Sequence, residues 1–146
     1  LHRSISEFLL LSDALVMICV SLCLKKSLEA ARWEDGVTIL ITPLRYILSF
    51  KDIHLIEAAS RFKRLTSVKL KKCFNLTDGA VVALAKHCSS LTSVNFCECH
   101  MLTDNAVVAL AGHCPGLTSV NLRYLNTLTD GAVVALAENC PGLTSV

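Results

Sequence analysis

Along the second half of the chain, apolar and polar positions recur in one phase. Leu-Thr-Ser-Val stands at Leu65, Leu91, Leu117 and Leu143, at intervals of 26 residues. The units run 65–90, 91–116 and 117–142, and a partial fourth occupies 143–146. Each unit has two halves with different periods. Leu91, Val94 and Phe96 follow L-x-x-L-x-L, the pattern of a short strand buried on one side. Val81, Leu84, Ala85 and Cys88 fall at i, i+3, i+4 and i+7, one face of a helix. Thr77-Asp78 supplies that helix with a cap and an acidic first turn. Pro115-Gly116 and Pro141-Gly142 stop the second and third helices, and Ser89-Ser90 takes that place in the first.

A strand and a helix in each 26-residue unit predict an α/β fold, a right-handed solenoid. Its strands stack as a parallel sheet on the concave side and its helices line the convex side. One coil cannot bury its apolar face alone, so about three are needed for stability. The chain opens on Leu1 and stops inside a unit, so it reads as a fragment of a longer protein.

These residues resemble the cysteine-containing leucine-rich repeats. Cys114-Pro115-x-Leu117, Leu76-Thr77-Asp78 and Leu84-Ala85 match that pattern, and Cys73 and Cys99 match the cysteine that closes the strand. Leu125 departs there, which weakens that ladder in the third unit. The resemblance covers Leu65 to Val146. It implies a leucine-rich-repeat solenoid that acts as a protein-interaction module. In F-box/leucine-rich-repeat subunits of SCF-type ubiquitin ligases, such repeats hold the protein target while an F-box holds the adaptor subunit. The alternative is a generic repeat scaffold without ligase function, with or without a membrane anchor.

The first 64 residues divide at position 38. Sliding the 26-residue frame back lays Leu44 on Leu70, Asp52 on Asp78 and Ala59 on Ala85, with a helix near Ile53–Phe62. Residues 39–64 thus read as a degenerate capping repeat, with Pro43 at an edge strand where no ladder donor is needed. They also read as an F-box-like remnant around Ile47-Leu-Ser-Phe50 and Asp52–Ser60, without that motif's Leu-Pro opening. Upstream, residues 1–38 form a hydrophobic helical segment that starts near the Ser4-x-x-Glu7 capping box. Phe8–Leu24 is mostly apolar, but bilayer spans need about 20 apolar residues and Asp13 is costly there, so a membrane anchor is not favoured.

Composition narrows the function. The chain has 146 residues, enough for one domain or a short repeat array. It is 53% hydrophobic and only 18% charged, which excludes disorder. A mean hydropathy of +0.54 keeps a buried partner surface in view. Aromatic content of 5% and a net charge of +2 disfavour nucleic acid as a partner.

The eight cysteines read as a buried structural ladder, because Cys88, Cys114 and Cys140 recur on one helix face. Packed helices about 8–10 Å apart are too distant for disulfides there. Reduced cysteines place the protein in the cytoplasm or nucleus. Cys97-Glu98-Cys99-His100 lacks a second ligand pair, so no metal is assigned, and register puts Cys97 on the concave face as an exposed thiol. No phosphate loop, nucleophile elbow or H-E-x-x-H occurs. Asp78, Asp104 and Asp130 are repeat-locked helix caps, and His87 and His113 are surface residues. Neither enzymatic activity nor a cofactor is expected.

The candidate partner-binding residues are the concave strand positions and one aromatic beside them. They are Ser67, Lys69 and Lys71; Ser93, Asn95 and Cys97; Ser119, Asn121, Arg123 and Tyr124. Six of the 14 Lys and Arg fall between Arg61 and Lys72, a basic rim for an acidic partner or a solvated edge.

Overall fold

The computed structural model describes residues 39–41 and 50–146. The Phe8–Leu24 segment, the Ser4–Glu7 capping box and Pro43 lie outside the described residues. Among the described residues four strands and four helices alternate: β1 Ile39–Ile41, α1 Asp52–Arg61, β2 Ser67–Lys69, α2 Asp78–His87, β3 Ser93–Asn95, α3 Asp104–His113, β4 Ser119–Asn121 and α4 Asp130–Asn139. The strands form one parallel sheet in the order β1-β2-β3-β4, and each helix packs on the next. This is an α/β strand–helix solenoid.

In each of β2, β3 and β4 the central valine reaches the core. Val68, Val94 and Val120 are buried, while the residues on either side point to the opposite face. Ser67, Ser93 and Ser119 stand side by side, and Ser145 continues the row by a parallel bridge to Ser119. Asn95 and Asn121 then end their strands. Their side-chain oxygens accept the backbone N–H of Cys97 at 3.0 Å and of Arg123 at 3.1 Å. Backbone bonds between coils continue past them, from Lys72 N to Cys97 O at 2.8 Å and from Glu98 N to Arg123 O at 3.0 Å.

β1 departs from the frame. Ile39, not Ile41, stands beside Ser67, so the strand lies two residues earlier than the 26-residue repeat predicts. Ile39-Leu40-Ile41 offers three strand-forming residues with backbone N–H groups, whereas a frame-matched strand would include Pro43, which has none. The helix keeps the frame, since α1 and α2 begin at Asp52 and Asp78. α1 begins without the threonine of the later coils. Lys51 holds that position, and its N–H donates to Nδ1 of His54 at 3.0 Å.

The core runs unbroken through the coils. Leu55, Leu65, Leu84, Leu91, Phe96, Leu110, Leu117 and Leu136 are fully enclosed between sheet and helices. Leu125 is also buried, so the third unit keeps apolar packing where the earlier coils use Cys73 and Cys99. It has no donor to match the Sγ of Cys99, which donates to Leu70 O at 2.9 Å.

Candidate binding surface

Three polar ladders hold one coil on the next and set the sheet face in place. The first uses the aspartates. Asp78 accepts from Thr103 N at 2.7 Å and from Thr103 Oγ1 at 2.5 Å, one coil further on. Asp52 grips Thr77 and Asp104 grips Thr129 in the same two-point way. The sequence predicts Asp78 and Asp104 as caps of their own helices. Their side chains instead tie neighbouring coils together, while Thr103 and Thr129 accept from Asn105 N and Gly131 N at the helix starts. The clue was the Thr-Asp pair in every unit, which places each aspartate 25 residues before the next threonine.

The second ladder uses the helix cysteines. Cys114 Sγ donates to Ala85 O and Cys88 O, and Cys140 Sγ to Ala111 O and Cys114 O. Cys88 makes the same pair of contacts to Ala59 O and Phe62 O. Each thiol thereby reaches a last-turn carbonyl of the preceding helix and the carbonyl of the residue after that helix, which also accepts a backbone N–H. Burial pushes the Cys88 thiol up to about 11. Burial, with Cys88 and Cys140 nearby, pushes Cys114 up to about 12. In the third ladder Thr92, Thr118 and Thr144 hydroxyls donate to Thr66 O, Thr92 O and Thr118 O.

On this frame lies a groove of about 420 Å³ across β2, β3 and β4. Six of the ten predicted residues line it: Lys69, Ser93, Asn95, Ser119, Asn121 and Arg123. Ser145 and Val146 extend the lining at one end, a contribution the complete units alone did not signal. Lys69, Arg123 and Ser145 are exposed, and Ser93, Asn95, Ser119 and Asn121 are half-buried.

Four predicted residues stand apart from the groove. Ser67 is buried, with β1 beside it in the sheet. Lys71 is exposed beyond the end of β2. Cys97 is 5% exposed, not an open thiol. It is a small side chain in the row that Lys71 and Arg123 occupy in the adjacent coils, and larger neighbours can cover it. Tyr124 is 66% exposed on the turn after β4. Its backbone is left-handed, φ 63°, as are the equivalent Lys72 and Glu98. Nothing in those residue types announced this conformation, since Gly and Asn usually hold it.

The basic stretch does not form one patch. Lys69 and Lys71 belong to the sheet side, while Lys72 turns to Glu98 at 3.6 Å. Cys97, Cys99 and His100 do not converge either. Cys99 is in the core, and the His100 ring stacks on Phe74 with centroids 5.7 Å apart. Among the described residues no group of three His, Cys, Asp or Glu could hold a metal ion. Among them, too, no helix is long and apolar enough to cross a membrane.

A four-stranded parallel sheet with one helix per strand, built on leucine-spaced coils, is a leucine-rich-repeat-like fold. The solved structures contain a similar one, a chain in the crystal structure of the Rad7 and Elc1 complex in yeast. The two are 27% identical with a TM-score of 0.54, over 65% of this chain. The match spans a quarter of the length of that chain. No family model and no curated protein matches the sequence.

Proposed function

We propose that this chain is a protein-interaction module that holds a partner protein against its sheet face, without enzymatic activity or a cofactor. The observation that carries this reading is the groove across three coils. Its polar lining stands on strands whose other face is fully committed to the core. Repeat solenoids bind through such extended surfaces. The similar yeast chain, solved in a two-protein complex, supports the same reading.

Residues 39–64 are read as the first coil of the array, in which each crossover is right-handed. Asp52 and the Ala59 and Phe62 carbonyls engage the next coil as their counterparts do. Leu55, Ala58 and Ala59 are buried in the shared core, which speaks against an F-box role for α1. The finer reading is the target-recognition repeats of an F-box-type SCF ligase subunit, working in cytoplasm or nucleus. It rests on the resemblance of the repeats.

Site-specific photocrosslinking in cells tests the surface. A crosslinker at Ser119 should capture a discrete partner, and one at the exposed Val134 of α4 should not. Equal capture from both positions, or none from Ser119, would overturn the reading. Co-purification of the full chain with the SCF adaptor subunit separates the ligase role from a plain scaffold.

A further inference from the structure

The groove is uneven in charge. Lys69, Lys71 and Arg123 have no acidic partner among the described residues, whereas Lys72 is paired with Glu98. Lys69 stands on β2 and Arg123 two residues past the end of β4, where Asn121 is in register with Lys69, so two strand spacings and two residues of rise separate their backbones by about 12 Å. A phosphoryl group needs several donors converging on one point. Cations spread this far suit separate single charges instead. Between them lie Asn95 and Asn121, whose side-chain oxygens are taken by their own strands. Their Nδ2 groups remain as donors for a peptide carbonyl. The groove lining carries no aromatic ring on which a base could stack.

The geometry points to an extended acidic segment of a partner protein as the occupant of this groove, with two carboxylates about three to four residues apart meeting Lys69 and Arg123. An extended chain advances about 3.3 Å per residue, so that spacing covers the diagonal from Lys69 to Arg123. Arg123 offers a fork for one carboxylate and Lys69 a point charge for the other. This rests on the proposed sheet-face interaction and gives its chemistry.

The test is fluorescence anisotropy with the full chain and a labelled twelve-residue Gly-Ser peptide bearing glutamate at every third position. The glutamine version and a twelve-nucleotide oligothymidylate are run beside it. At low salt the acidic peptide should bind at least about 10-fold more tightly than the glutamine peptide, as expected for charge-assisted contacts. The K69E/R123E variant should lose that difference. Both residues are exposed, and circular dichroism checks that the fold is unchanged. Equal affinity for the glutamine peptide, tighter binding of the oligonucleotide, no binding of the acidic peptide, or no effect of charge reversal would each overturn the proposal. If the glutamine peptide binds equally and N121R abolishes both, the sheet face survives as the interaction surface and only its acidic preference fails.

Discussion

Tyr124 pays a conformational cost that its environment does not return. Its left-handed backbone costs an L-residue about 1–2 kcal/mol, and its ring is largely in solvent. Asparagine adopts this conformation more readily. Tyr124→Asn should therefore raise the unfolding free energy by about 0.5–1 kcal/mol, read as a higher urea midpoint at unchanged m-value. Asp104 gives a pH signature. The Thr129 hydroxyl and then the Thr129 backbone N–H hold its carboxyl below the ordinary value. A carboxyl depressed on folding contributes stability above its unfolded value of about 3.9 and loses it as pH falls through the lower folded value. Asp104→Asn should lower stability at pH 7 and flatten the acid limb of the stability profile. An acid limb parallel to that of the parent would contradict the clamp.

Each helix is short, and its face toward the core is built from alanine, valine and leucine. Such a helix is marginal alone, so its neighbours supply its stability. The cysteine at each helix end belongs to this element-level packing. Thiols raised to about 11 and 12 stay protonated at neutral pH, and the thiolate is the reactive form. In the folded chain at pH 8, Cys88 and Cys114 should resist a thiol-disulfide reagent and then react promptly in urea. Mass mapping of early labelling to either residue would contradict their burial. A thiol raised on folding stabilises the fold below its unfolded value of about 8.5, and that contribution disappears as pH rises through the folded value. The helix face and its cysteine were legible in the i, i+3, i+4, i+7 spacing. The carbonyls that the thiol meets were not, because they belong to the preceding coil.

Across the whole molecule, stability is a sum of coils and the interfaces between them. The coils of β2–α2 and β3–α3 each have a neighbour on both sides. Val81 and Val107 are buried, while the equivalent Val133 is 54% exposed on the last helix. Amide exchange should accordingly be slower in α2 and α3 than in α4. Uniform protection across the three helices would mean that the array opens only as one unit. The groove is also a property of the whole array, since its lining comes from the strand regions of successive coils.

Periodicity in the chain was enough to establish the strand–helix coil, its buried leucines and the row of serines and asparagines on the opposite face. Those features depend on local spacing, and a period of two or 3.6 puts a side chain on a definite side. Contacts between coils were another matter. The turn of Asp78 toward Thr103, the covering of Cys97 and the separation of Lys72 from the free cations all depend on what the neighbouring coil presents. The start of β1 depended on the same thing, because its register is set by its pairing with β2. A repeat dictates the shape of each unit, and stacking determines which of its polar atoms remain for a partner.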